Sequence, residues 1–257
     1  MQRHWKPVYV KKHQKCPDLD NLVTGVIPAI ILKNALSEIT CKEVSKKITE
    51  FRNMTNFSPN SRYVGESLNS YINFKTEYFE KTKHMDNQIR QVFSDIEDPR
   101  YIMRDLLSAI FTKKIIPAKE NGNIYSNGIF RIHNCDESFP IHRDNASFEA
   151  NNYTVSKLRN QLSAVLHLQT AQSGGELILY QKSWKKSDEQ FRFPEFGYSD
   201  DVVNNSKFIK IKPNVGDIVI INPIHYHTIS KINGVLDRIS VGFFFGQSDK
   251  STLLCWS

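Results

Sequence analysis

From Ile124 onward the apolar residues recur mostly at every second position, in segments too short for helices of ordinary length. Segments of this kind lie at 128–133, 162–169, 176–180, 207–211, 217–222, 225–230 and 238–245. Turn signals separate them: Ser173-Gly174-Gly175, Pro213-Asn214-Val215-Gly216 and Asn233-Gly234. Many short strands in series predict a sandwich or jelly-roll barrel. The polar stretch 182–206 interrupts the series and reads as an inserted loop, a kind that is often functional.

The first half has a different period. A β-branched run at 22–32 predicts a strand. Ser37 or Thr40 can cap a following helix that runs to about Met54, with Val44, Ile48 and Phe51 at helical spacing on its buried stripe. Residues 55–70, with Asn56, Ser58, Pro59 and Asn60, read as a loop. Two further helices are predicted at 71–96 and 99–113, and residues 1–20 as basic and irregular. Helices on one side of a β core make an α+β fold. At 257 residues the chain fits one domain, with 1–125 as helical support and lid region and 126–257 as the core.

Composition excludes several classes. The formal net charge is +7, but the lysines come as scattered doublets such as Lys46-Lys47 and Lys185-Lys186, so a solvated surface is favoured over a nucleic-acid face. Cys16, Cys41, Cys135 and Cys255 form no Cys-X-X-Cys pair and read as free thiols in a reducing compartment. The polar start lacks the apolar stretch of a signal peptide, and no run approaches the roughly 20 apolar residues of a membrane span. The expectation is a cytoplasmic protein with a small-molecule partner and neither nucleic acid nor membrane.

Chemistry concentrates at Phe139-Pro140-Ile141-His142-Arg143-Asp144. In an extended strand His142 and Asp144 point the same way. Two imidazoles and one carboxylate on one side, with positions left open, make a non-haem Fe(II) site. With 8 His and 27 acids in the chain, this tripeptide taken alone favours a surface turn or a satisfied polar pair. The second imidazole would come from His225-Tyr226-His227, where either histidine serves. Arg238 follows His227 by eleven residues, room to turn a hairpin and return on the adjacent strand facing the same cavity. A guanidinium inside a barrel needs a carboxylate, which its planar fork binds in bidentate fashion.

His142-X-Asp144, the distal His227 and Arg238, with Gly174-Gly175-Glu176 and Pro213-Asn214-Val215-Gly216-Asp217 around them, resemble the 2-oxoglutarate/Fe(II)-dependent oxygenases over residues 127–257. The resemblance implies a double-stranded β-helix (jelly-roll) core with N-terminal helices packed on one side. It implies Fe(II) on His142, Asp144 and His227, His227 being preferred to His225 by the family's spacing. It also implies 2-oxoglutarate at Arg238 and Ser240, and O2 as the second co-substrate. The implied reaction is hydroxylation of an unactivated C–H bond, with decarboxylation of 2-oxoglutarate to succinate. Substrate contacts are expected from Arg131, Asn145, Glu149 and His225. His133 is a further candidate for the cavity, and Arg131 could instead pair with Asp136 or Glu137.

Phe148-Glu149-Ala150, Gly174-Gly175-Glu176, Gly197-Tyr198 and the closing Trp256-Ser257 are similar to the branch holding the aliphatic halogenases of cyanobacterial indole alkaloids. That branch is related to hydroxylases of free or N-acylated amino acids. Its halogenases place Gly or Ala where this chain has Asp144, so the resemblance implies oxygenation of an amino acid derivative or specialised metabolite. Competing readings are a protein oxygenase, a nucleic-acid dealkylating oxygenase, and a non-catalytic jelly-roll binding module. The second of these would carry a further Arg soon after Arg238, and none follows.

Overall fold

The computed structural model describes residues 5–12, 14, 16, 19–54 and 62–257. Of the loop expected at 55–70, residues 55–61, with Asn56, Ser58, Pro59 and Asn60, lie outside the described residues. Two sheets face each other. The larger has nine strands, running Val8–Lys11, Ala29–Lys33, Ile218–Ile221, Arg159–Gln169, Arg238–Gln247, Thr252–Trp256 and Lys114–Pro117. Ile129–His133 also pairs with Arg238–Gln247, and Tyr63–Val64 pairs with Ile129–His133. The smaller has four: Phe208–Ile211, Leu177–Ser183, His225–Ile229 and Phe139–His142.

Alternation along the large sheet divides its two faces. Phe130, Ile132, Leu162, Ala164, Leu166, Ile218, Ile220, Ile239, Val241 and Phe243 point outward. There, after the single helical turn α1 (Leu19–Val23), they pack on helices α2 (Glu38–Met54), α3 (Lys75–Val92) and α4 (Pro99–Phe111) through residues such as Val44, Ile48, Ile89, Met103 and Leu107. The intervening residues, among them Arg131, His133, Val165, His167, Arg238 and Ser240, face the small sheet across a cavity of about 550 Å³. The helices are thus confined to one face, as the sequence predicts.

Ser37 is the cap of α2: its hydroxyl accepts the Thr40 N–H at 3.1 Å. The 22–32 strand is shorter than expected. Leu19–Val23 is a helical turn and only Ala29–Lys33 joins the sheet, where Ala29, Ile30, Ile31 and Leu32 are all buried, while Val26 stays exposed. Residues 1–20 are not wholly irregular: Val8–Lys11 pairs in parallel with Ala29–Lys33 as an edge strand with one buried side chain, Val10, too little pattern to read. The helix expected from residue 71 starts at Lys75, after a tight turn at Leu68–Tyr71. The closing strand Thr252–Trp256 escaped the period-two pattern because Leu253-Leu254-Cys255-Trp256 is apolar without alternation.

The hairpin expectation is corrected. His225–Ile229 belongs to the small sheet and Arg238–Gln247 to the large one, so His227 and Arg238 lie on facing sheets rather than adjacent strands. Both still line the cavity. Among the described residues no helix is long and apolar enough to cross a membrane.

A buried ion group joins the helices to the strand that carries Arg131 and His133. Arg100 is 1% exposed. It contacts Asp86 at 2.6 Å and Asp98 at 2.7 Å. Asp98 also caps α4 by accepting the Arg100 N–H, and Asp86 accepts from Asn127 Nδ2 at 2.8 Å, just ahead of the strand. Removing the guanidinium would strand two carboxylates. Arg100→Ala is expected to cost about 3–5 kcal/mol, seen in urea unfolding as a lower midpoint at unchanged slope.

Candidate active site

His142 and His227 are register partners on neighbouring antiparallel strands, and their ring centroids are 4.0 Å apart. Each ring is held by a backbone carbonyl two residues earlier: Nδ1 of His142 lies 2.9 Å from Pro140 O, and Nδ1 of His227 lies 2.9 Å from His225 O. A carbonyl only accepts, so each Nδ1 carries the proton and each Nε2 presents a lone pair. Burial pushes the pKa of both rings down, His142 furthest, so both stay neutral. The strand ends at His142, and Asp144 lies beyond it. Its backbone N–H donates to Pro223 O at 2.9 Å, which holds the carboxylate 3.6 Å from His227 Nε2. One ligand atom from each of His142, Asp144 and His227 falls within 4.8 Å of the other two. Two neutral imidazoles and one carboxylate on one side are a donor set for a divalent transition metal.

Arg238 and Ser240 line the same cavity from the opposite sheet. The Arg238 guanidinium is buried, and among the described residues no carboxylate pairs with it. Burial, then repulsion from Arg131, lowers its pKa to about 10, so it stays charged at neutral pH. It is in hydrogen-bond reach of His133 Nδ1, 3.4 Å from Nη1. A guanidinium only donates, so His133 accepts there and its proton sits on Nε2. Burial, with Arg238 and Arg131, depresses His133 to about 3 and keeps it neutral. Among the described residues His133 Nε2, His167 Nδ1 and Ser240 Oγ are buried and have no hydrogen-bond partner. Each unmet polar atom costs about 1–3 kcal/mol. Cation and orphans together fit an anionic, oxygen-rich ligand. Gly175, at φ +68, makes room for Arg238: a Cβ there would lie 3.2 Å from Arg238 Cδ.

The expected substrate contacts divide. Arg131 faces the cavity and does not pair with Asp136 or Glu137, which are taken by Lys231 and Arg62. Asn145 does not line the main cavity. It opens the short helix Ala146–Glu149 and borders a small adjoining hollow. Glu149 is drawn off by ion pairs with Arg143 at 2.9 Å and Arg192 at 3.5 Å. His225 does not share the face of His227. Its Nε2 meets Ser183 Oγ at 3.1 Å and its ring lies beside Trp5, because the ladder shifts register between the two histidines.

Three residues escaped the sequence reading. His167 alternates with Leu166 and Leu168 on a predicted strand, a signal that could have placed it in the cavity. Arg143, between the two candidate ligands, points the other way. Its guanidinium stacks 4.5 Å from the Trp184 ring and pairs with Glu149 and Glu189. Phe196 lines the cavity mouth 5.4 Å from the His142 ring. It sits near the tip of a tight turn closed by Phe193 N–H to Gly197 O at 2.9 Å, while Tyr198 N–H fastens the base to Ile141 O at 2.8 Å. The stretch 182–206 is therefore not a bare loop. It holds two short 3-10 turns, Lys186–Phe191 and Asp200–Val203, over a cluster of Ile141, Tyr198, Val202 and Tyr226.

Glu189 anchors this segment. Burial works to raise its pKa, but Tyr198, Trp184, Arg192 and Arg143 donate to it and hold it at about 2. The carboxylate's ordinary value is 4.5, so its stabilising effect is complete above that value and lost as pH falls towards 2. Glu189→Gln is expected to flatten the fall in melting temperature between about pH 4.5 and 2, as followed by circular dichroism.

Comparison with known proteins agrees with this geometry. A family model described as carrier-protein-independent halogenase WelO5 matches residues 4–257. A curated relative, leucinostatins biosynthesis cluster protein S of Purpureocillium lilacinum, is 30% identical over 135 residues, 50% of this chain and 54% of the relative. The match thus spans about half the length of that relative. Among solved structures, an N-substituted L-amino acid dioxygenase from Burkholderia ambifaria AMMD superposes with a TM-score of 0.62 at 14% identity, covering 93% of this chain and 90% of that one. HygX from Streptomyces hygroscopicus, with nickel and 2-oxoglutarate bound, gives 0.58 at 12% identity, covering 91% and 88%. At these identities the structures speak for a shared mixed α/β fold.

Proposed function

The chain belongs to the family described as carrier-protein-independent halogenase WelO5, within the 2-oxoglutarate/Fe(II) oxygenases, and from that premise we propose that it hydroxylates an unactivated C–H bond of a small molecule. The observation that carries this reading is the convergence of His142, Asp144 and His227 on one side of a cavity whose other side presents Arg238. In this reading His142, Asp144 and His227 hold Fe(II), and Arg238 with Ser240 receives the far carboxylate of 2-oxoglutarate. The two facing sheets support a jelly-roll core at 126–257, carried with its helical support 1–125 in a single domain.

Each side chain has a task. The carbonyls of Pro140 and His225 fix the ring orientations, so the lone pairs are aimed before the metal arrives. Arg238 orients the co-substrate from the opposite sheet, and neutral His133 and His167 add hydrogen-bonding capacity beside it without adding charge. The metal and co-substrate together supply the oxidising chemistry: O2 is consumed, 2-oxoglutarate becomes succinate and CO2, and the substrate gains a hydroxyl. Ile129, Val165, Phe139 and Phe244 line the cavity with apolar surface that excludes water.

Family membership alone leaves hydroxylation and halogenation open, and Asp144 favours the first. The related halogenases have Gly or Ala there, which opens a position for halide; a carboxylate fills it. Anaerobically Fe(II)-loaded protein, given 2-oxoglutarate and then O2 against amino acids, N-acyl amino acids and indole alkaloids, is expected to form succinate in step with a hydroxylated product. Excess chloride should leave that product unchlorinated, and Asp144→Ala should end the reaction. A chlorinated product from the unaltered protein would overturn the assignment. Arg238→Gln is expected to weaken 2-oxoglutarate binding by roughly 30-fold or more, the usual effect of removing one partner of a buried charged pair, measured by calorimetry on Mn(II)-loaded protein.

A further inference from the structure

Arg131 is a second guanidinium in the cavity, and nothing in the proposed reaction uses it. It lies on the strand Ile129–His133, where Phe130 and Ile132 enter the core and Arg131 and His133 face inward. Its register partners are Ser240 on one side and Tyr63 on the other. Among the described residues no carboxylate lies within 4 Å of it, and Asp18 is the sole acid outside them. Its guanidinium lies against a bare patch of backbone: a Cβ on Gly242 would sit 3.3 Å from Arg131 Nη1.

Charge in the cavity gives this cation a purpose. The charged residues lining it are Arg62, Arg131, Arg238 and Asp144. Arg62 is matched by Glu137 at 2.9 Å. His142 and His227 keep their Nδ1 protons on backbone carbonyls and turn lone pairs to the metal side, His133 accepts from Arg238, and burial holds His167 neutral, so the lining imidazoles add no charge. What remains is one positive charge in excess. A divalent metal adds two, and a dicarboxylate co-substrate removes two. One positive charge is left over, on a buried guanidinium that is costly without an anion.

We propose that Arg131 receives a carboxylate of the primary substrate, which narrows the substrate class to monocarboxylates with an apolar body, such as N-acylated hydrophobic amino acids. The proposal rests on the metal and co-substrate reading above. A planar carboxylate matches the fork of Arg131. Phe139, Val165 and Phe244 supply apolar surface in the same cavity, and its volume of about 550 Å³ is within the usual span of small-molecule sites. A neutral alkaloid would leave the guanidinium unanswered.

The test is calorimetric titration of Mn(II)- and 2-oxoglutarate-loaded protein, without O2, with N-acetyl-L-leucine and N-acetyl-L-phenylalanine and with their carboxamides. The carboxylates are expected to bind roughly 30-fold or more tightly than the carboxamides. Arg131→Gln should remove that preference, Arg131→Lys should restore part of it, and both should leave 2-oxoglutarate affinity within about twofold. Carboxamides binding as tightly as carboxylates would overturn the proposal, as would a failure of both carboxylates to bind. Loss of 2-oxoglutarate affinity in Arg131→Gln would overturn it too, by assigning Arg131 to the co-substrate. Failure of the unaltered protein to take up Mn(II) or 2-oxoglutarate would instead sink the underlying reading, which separates the two.

Discussion

The pairing of His142 with His227 across two antiparallel strands is the contact on which the site depends. The partners are 85 positions apart in the chain, and a slip of one residue in either strand would turn one imidazole out of the cavity. The ladder shifts register just beyond the pair, where Phe139 faces Ile229, and Thr228 Oγ1 donates to Phe139 O at that irregularity. On the outer face Ile141 and Tyr226 join Tyr198 and Val202 in a small core of their own. The strands that carry the candidate ligands are therefore packed from behind, and the rings cannot drift without unpacking that cluster.

The cavity combines two opposite electrostatic policies. Its imidazoles are kept neutral by burial, His133 at about 3, while its two inward guanidiniums stay charged with the Asp144 carboxylate offsetting only one of them. A cavity arranged in this way attracts anions before any contact is made, since low-dielectric walls concentrate the field of the uncompensated charge. The same arrangement explains why polar atoms such as Ser240 Oγ and His133 Nε2 remain without partners inside the protein. In the proposed reading they surround positions that ligands would fill.

Much of this was legible in the sequence, for a physical reason. Period two marks a face, so Arg131 and His133, or Arg238 and Ser240, declare their common side wherever a strand is regular. The rule failed where the strand was not regular. His225 parts from His227 at a register shift, and Asp144 lies past the strand end, held by a bond to Pro223 O that no local pattern predicts. The choice of sheet was also hidden. Eleven residues between His227 and Arg238 suit a hairpin and a crossing to the facing sheet equally well, and only the long-range pairing of Arg238–Gln247 with Ile129–His133 decides it. Glu149 and Asn145 follow Asp144 closely in sequence yet lie off the main cavity, since Arg143, the residue between the two candidate ligands, takes Glu149 to the other side.

The turn that carries Phe196 separates access from chemistry. Its tip touches the cavity, but its base is fastened through Tyr198 and Glu189 to groups behind the ligand strand. The five residues 193–197 are therefore hung on a fixed frame, and exchange of the Phe196 side chain would reshape the cavity edge while the frame and the candidate ligands behind it stay as they are.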